Sequence, residues 1–101
     1  MTPEQTVSQI RQKDNVVVLL IAPGDELSAR AQKTLLTQES RLRSRGFQVS
    51  ILEMGAKTHV SEELACVRFP QLRFFLRGKM QHKIVGIFDD AQIDAALHTL
   101  V

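Results

Sequence analysis

The chain has 101 residues, of which 44% are hydrophobic and 24% are charged, and its formal net charge is +2. This length fits one domain spanning residues 1–101, and the composition excludes a disordered chain. Because the chain has one cysteine, Cys66, an intrachain disulfide and a secreted disulfide scaffold are excluded as well.

The first predicted element is a short helix that begins at "TPEQ". Thr2 fits the N-cap, Pro3 the first helical position and Gln5 the third position of a capping box. Val7 and Ile10 are the candidates for its inward side. The same stretch lacks the basic start and apolar run of a signal peptide, and no apolar run is long enough to span a bilayer. We therefore expect a cytoplasmic protein.

A continuous apolar run, "NVVVLLIA" at residues 15–22, predicts a strand that is buried on both faces. "PGD" ends this strand, and Asp25 is placed to cap a long helix that ends before Gly46. The core-facing stripe of that helix is predicted to contain Leu27, Ala31, Leu35 and Leu42, with Leu36 beside it and Ser28 away from it.

Alternating residues 47–52 predict a second strand, and a short helix is expected to begin at Ser61. "FPQLRFFLRGKMQHKIVGIF", residues 69–88, then predicts a hairpin. Its outgoing strand covers residues 72–76, and the chain turns at Gly78-Lys79. The returning strand is predicted to run through Ile84, Val85 and Ile87.

Four side chains of this hairpin have to be placed on one face of the strand or the other. Phe74 and Phe75 point to opposite faces of their strand, which favours core packing over base stacking. Arg73 and Arg77 are predicted to share one strand face. A sheet covered by helices should not bury two arginines, so either that face is partly open or one arginine pairs with a carboxylate.

The final helix has the strongest start signal. Asp89 as N-cap and Gln92 three residues later complete a capping box, and Phe88 with Ile93 makes a hydrophobic staple. The predicted element order is α, β, α, β, α, β, β, α. Because a long helix joins the first two strands, they are expected to be parallel, with a right-handed crossover, whereas the last two form an antiparallel hairpin.

A βαβ unit followed by a ββα unit, with "RFP" before the third strand, resembles the thioredoxin fold over about residues 14–101. The resemblance implies an α/β protein with a four-stranded mixed sheet (βαβ then ββα) flanked by helices, in which the family's N-terminal edge strand is missing. In that family a cis peptide bond precedes the proline that opens the third strand. The Phe69–Pro70 bond is therefore expected to be cis.

The chain departs from the family at its redox motif. Aligning Ala22 places "GDELS", residues 24–28, over the family's Trp-Cys-Gly-Pro-Cys stretch. Asp25 and Ser28 then stand where the two cysteines would be, and Leu19 stands where the family has a buried acid. Disulfide exchange needs one thiolate that attacks and a second thiol that resolves. The alignment therefore implies a redox-inactive protein that is not an enzyme and uses no cofactor.

The resemblance implies instead a chaperone-like role, in which the backbone before the proline pairs with an extended segment of another polypeptide. The residues expected to form this binding surface are Gly24, Asp25, Glu26, Ser28, Arg68, Phe69 and Pro70. Its carboxylates favour a positively charged or hydroxyl-rich segment. "RFP" is also similar to the hydrogenase-maturation accessory proteins, which are thioredoxin-like, lack the cysteine pair and are thought to chaperone a precursor with a twin-arginine signal.

Two other functions stay open. The single Cys66 is available for thiol-dependent redox chemistry, although a free cysteine more often packs as a small buried hydrophobe. Arg41, Arg43 and Arg45 form a basic cluster that is able to contact nucleic acid, although cations are also typical of a helix C-terminus. The three histidines lie far apart from one another in the sequence and Cys66 is the single cysteine, so no metal site is expected.

Overall fold

A computed structural model of the chain describes residues 2–54 and 68–100. The predicted helix at Ser61 lies outside these residues. In the described ranges no helix combines the length and hydropathy that crossing a bilayer requires. The helices and strands follow in the order α1 (Pro3–Arg11), β1 (Val16–Ile21), α2 (Glu26–Ser44), β2 (Gln48–Glu53), β3 (Gln71–Leu76), β4 (Lys79–Val85) and α3 (Asp90–Leu100).

The four strands form one mixed sheet in the order β2-β1-β3-β4. β1 runs parallel to β2, with Val16 opposite Gln48. On its other side β1 is antiparallel to β3, where Val16 lies opposite Phe75, and β3 is antiparallel to β4. This arrangement is the βαβ unit followed by a ββ hairpin and a helix that the sequence predicts.

Both faces of the sheet are covered in its centre. All six residues of β1 are buried. Val17 packs into an apolar cluster with α2 and α3, whereas Val18 packs into a second cluster with Ile10 of α1. Phe74 and Phe75 divide between the two clusters in the same way. Core packing of these two aromatic side chains is thus confirmed.

α1 begins with the predicted capping box at Thr2. Ile10 is buried as expected, but the second buried residue of this helix is Thr6, and Val7 is half-buried. The hydroxyl groups of Thr6 and Ser50 are 2.8 Å apart and join α1 to β2. A polar residue is tolerated inside because its hydroxyl has a partner there.

α2 has the predicted N-cap, Asp25, and Gly46 follows its C-terminus with φ +90°. The predicted stripe is wrong at its first residue, since Leu27 is 43% exposed and Ser28 is 1% exposed. Adjacent residues point about 100° apart around a helix, so Leu27 and Ser28 face different directions, and Ser28 points inward because its hydroxyl has hydrogen-bond partners there. The residues of this helix that are buried are Ser28, Ala31, Leu35 and Leu42.

The hairpin turn lies one residue earlier than predicted. Arg77 and Gly78 are its two central residues, with φ +52° and +84°, and Lys79 already begins β4. Positive φ at both positions is the geometry of a two-residue type I′ turn. Arg77 is therefore exposed and does not share a strand face with Arg73. Arg73 is buried, and its Nε donates a hydrogen bond to Oε1 of Gln71.

α3 begins as predicted. The backbone N–H of Asp89 donates to Oε1 of Gln92 at 3.0 Å, and the N–H of Gln92 donates to Oδ1 of Asp89 at 2.9 Å. Phe88 and Ile93 are both buried in the cluster with α2, as a hydrophobic staple requires. These local contacts fix the angle at which α3 returns along the sheet.

Candidate functional site

The residues that the sequence predicts as a binding surface come from two segments at one end of the sheet. β1 ends at Ile21, and residues 22–25 lead from it into α2. β3 runs in the opposite direction and starts at Gln71, directly after Pro70. Since Leu20 pairs with Gln71, the register places Pro70 beside Ile21. The two segments therefore lie at neighbouring strand ends.

Asp25 and Ser28, the residues at the predicted cysteine positions, are hydrogen-bonded to each other. Oδ2 of Asp25 accepts from the backbone N–H of Ser28 at 3.0 Å and from its hydroxyl at 2.8 Å. The same hydroxyl accepts from the backbone N–H of Ala22 at 3.1 Å. This network is a helix cap extended by one buried hydroxyl, and neither side chain carries the sulfur that disulfide exchange needs.

A depression of about 320 Å³ opens beside this network. Gly24, Asp25, Glu26 and Ser28 all contribute to its lining, together with Glu53 at the end of β2. Glu53 is not among the residues that the sequence predicts for this surface. The predicted topology could have indicated Glu53, because the carboxyl ends of two parallel strands lie at the same end of a sheet. Three carboxylates thus share one small surface.

Arg68, Phe69 and Pro70 lie elsewhere, on the β3 side of β1, and do not line this depression. The Phe69–Pro70 peptide bond is cis, as the resemblance implies. The carbonyl of Pro70 accepts from the N–H of Gly86 at 2.8 Å. Phe69 is half-buried against the cluster of α1, and its backbone has no hydrogen-bond partner within residues 2–54 and 68–100.

Val85 and Ile87, on either side of Gly86, are exposed rather than buried. The returning strand is predicted to run through Ile87, but β4 is an edge strand that ends at Val85. The hydrogen bond from Gly86 holds this segment against Pro70. The exposure of these two apolar side chains next to Pro70 was therefore not predicted from the sequence.

The described residues bear on one of the two alternative functions, the basic cluster. Two of the three clustered arginines have carboxylate partners: Arg41 pairs with Asp94, and Nε of Arg43 lies 2.9 Å from Oε2 of Glu39. Cys66 lies outside the described residues. Among the residues that are described, no three of His, Cys, Asp and Glu come together as metal ligands would.

No family model matches the sequence, and no curated protein matches it. Solved structures do match the fold. A thioredoxin from Malassezia sympodialis is 14% identical, with 97% of this chain and 84% of that chain covered and a TM-score of 0.78. The germline-specific thioredoxin Deadhead from Drosophila melanogaster is 14% identical, with coverage of 99% and 95% and a TM-score of 0.75. A thioredoxin from Aeropyrum pernix is 12% identical, with coverage of 100% and 85% and a TM-score of 0.75. With the sheet order and flanking helices described above, these matches establish that the chain has the thioredoxin-like fold.

Proposed function

We propose that this protein is a non-catalytic, chaperone-like binding protein that holds an extended segment of another polypeptide beside Phe69 and Pro70. The observation that carries the proposal is the hydrogen-bonded pair of Asp25 and Ser28. It occupies the positions at which the resemblance places the two redox cysteines. A carboxylate and an alcohol cannot replace an attacking and a resolving thiol. What remains of such a site is its ability to bind.

The backbone of Phe69 supports the mode of binding. An extended guest that pairs with the backbone needs N–H and C=O groups that are not already paired. Phe69 has such groups, as far as the described residues show, at the point where the chain enters β3. The hydrogen bond from Gly86 to Pro70 holds the neighbouring backbone in place before the guest arrives.

The side chains on the two sides of Phe69 and Pro70 indicate the chemistry of the guest. Val85 and Ile87 offer exposed apolar surface next to Pro70. The carboxylates of Asp25, Glu26 and Glu53 lie on the β1–β2 side of the same end of the sheet. A segment fits best when its apolar residues face Val85 and Ile87 and its arginine, lysine or hydroxyl groups face the three carboxylates. A twin-arginine signal has this chemistry.

An enzyme assay tests the non-catalytic half of the proposal. In a reductase-coupled disulfide reduction assay with insulin, we expect no turnover above the buffer rate for the wild type. Cys66→Ser should behave identically. Substantial turnover that disappears in Cys66→Ser would show that the single cysteine performs redox chemistry, and it would overturn the proposal.

A peptide-display selection tests the binding half. Peptides enriched on the wild type are then measured against Ile87→Glu and against the control Leu36→Glu, since these two residues are 49% and 51% exposed. Both variants place a carboxylate on a half-exposed apolar position. We expect Ile87→Glu to weaken binding by about tenfold or more and Leu36→Glu to leave it nearly unchanged, because binding energy is concentrated at few residues. Equal losses in the two variants, or no enriched peptide, would count against this surface.

A further inference from the structure

A second charged surface lies at the end of the sheet opposite the candidate site, where β1 begins and the hairpin turns. Oδ1 of Asn15 accepts from the backbone N–H of Arg77 at 3.1 Å. A Cβ atom added at Gly78 would lie 2.8 Å from the carbonyl oxygen of Ile10 and 3.6 Å from Cγ of Lys13. The end of α1 and the hairpin turn are therefore in contact, which makes Lys13 and Arg77 neighbours.

Lys13 and Arg77 share a second property. In the described part of the chain they are the non-glycine residues with positive φ, at +66° and +52°. Such a conformation is unfavourable for a residue with a Cβ atom. Both side chains are exposed, and neither forms a salt bridge with a carboxylate of residues 2–54 or 68–100. Lys13 and Arg77 are thus two exposed cations on contacting turns, with no carboxylate partner among the described residues.

A groove of about 430 Å³ runs between this hairpin and the end of α3. Its lining consists of Leu76, Arg77, Lys79, Gln81, Thr99 and Leu100. We call this surface the basic groove. It combines two cations and two hydrogen-bonding side chains with two leucines, and none of the described residues that line it has a carboxylate side chain. Such a lining suits a ligand in which an anionic group stands next to an apolar one.

We propose that the basic groove binds an acidic, leucine-containing segment of a polypeptide, at a site separate from the one proposed above. Charge complementarity selects an anionic partner. Nucleic acid is the other polyanion, but none of the described residues that line the groove is aromatic, so they offer no platform for base stacking. Leu76 and Leu100 would remain uncovered beneath a phosphate backbone, whereas leucine side chains of a peptide cover them. The protein then binds a cationic segment at one end and an acidic segment at the other.

The test uses the full chain and fluorescent probes of known composition. The first probe is a short peptide of glutamates with two central leucines. The second has glutamine in place of every glutamate, the third has alanine in place of leucine, and the fourth is a single-stranded oligonucleotide. The variant Arg77→Asn/Lys79→Gln removes both cations of the groove. It preserves the fold because Asn followed by Gly is the preferred pair for a type I′ turn. The control Arg30→Gln/Lys33→Gln removes one arginine and one lysine from exposed positions of α2.

We expect the glutamate–leucine peptide to bind the wild type and to bind Arg77→Asn/Lys79→Gln about tenfold more weakly, with much less change in the control variant. The glutamine and alanine peptides should both bind more weakly than the first probe, and rising salt should weaken binding of the first probe. Equal losses in the two double variants would mean that only net charge matters. Tighter binding of the oligonucleotide, or no binding of the glutamate–leucine peptide, would also overturn the proposal.

Discussion

One oxygen of Asp25 accepts two hydrogen bonds from the same residue, the backbone N–H and the hydroxyl of Ser28, at 3.0 and 2.8 Å. The hydroxyl is buried and accepts in turn from the N–H of Ala22. The end of β1 and the start of α2 are thereby joined through a single side chain. Because each bond depends on the next, removal of the carboxylate affects the cap, the hydroxyl and the loop together.

Asp25→Ala is predicted to lower the free energy of unfolding by about 1–2 kcal/mol, because it removes an N-cap acceptor and leaves a buried hydroxyl without its partner. Asp25→Asn should cost less, since an amide oxygen still caps the helix. Urea denaturation followed by circular dichroism measures both. Glu26→Ala, at an exposed position of the first turn, is the control and should change stability by less than about 0.5 kcal/mol. An unchanged free energy of unfolding in Asp25→Ala would mean that the network contributes nothing to stability.

Asp25→Cys/Ser28→Cys is predicted to gain weak disulfide reductase activity. The thiol at position 25 would lie at the N-terminus of α2, where the helix dipole lowers a thiol pKa. The activity should remain low, because Leu19 is fully buried and cannot relay a proton. Insulin reduction measures the gain, and the single variant Asp25→Cys, which lacks a resolving thiol, is the control. Activity in the single variant equal to that of the double one would contradict the two-thiol explanation.

Thr6→Val is predicted to destabilise the protein more than Ser50→Ala does. The hydroxyl of Thr6 donates to the carbonyl of Thr2 at 3.0 Å, so Ser50 must be the donor in the 2.8 Å contact between the two hydroxyls. Removing Thr6 Oγ1 therefore leaves a buried donor unpaired, at about 1–3 kcal/mol, whereas Ser50→Ala removes the donor itself. The double variant should lose less than the sum of the two single losses. Additive losses in a double-mutant cycle would show that the contact is not a hydrogen bond.

Gly78→Ala is predicted to cost more stability than Gly24→Ala. Both glycines have positive φ, so each substitution costs about 1–2 kcal/mol from backbone conformation alone. At Gly24 the added Cβ would meet nothing within 4 Å, but at Gly78 it would lie 2.8 Å from the backbone oxygen of Ile10. The hairpin must move away from α1 to relieve that contact. Thermal unfolding of the two variants provides the comparison, and equal shifts in Tm would contradict the close packing.

Capping residues are predictable from sequence because their bonds span three residues. Thr2, Asp25 and Asp89 were all assigned correctly for this reason, and each fixes where a helix begins. Ser28 and Thr6 were not predicted as buried. A hydrophobicity pattern places polar residues on the surface, and their partners become known only when α1, β2 and the turn before α2 are positioned in space.

The residues of the candidate site also divide into those that the sequence predicts and those that only the fold reveals. The approximate positions of Asp25 and Pro70 follow from the order of the elements, and the structure puts them at neighbouring strand ends. Glu53 and Ile87 could not be assigned from local pattern. Glu53 joins the site because β2 is parallel to β1. Ile87 is exposed there because it follows β4, an edge strand with little to cover it.

The position of β1 in the middle of the sheet has a consequence during synthesis. β1 leaves the ribosome before both of its partners, and the pairing of Val16 with Phe75 has to wait for β3. Until then a strand of six apolar residues has one edge open, and such an edge is a template for pairing with other chains. A chain truncated after Glu53 should therefore accumulate in the insoluble fraction on expression. The same chain extended through β4 and α3 should be recovered in the supernatant.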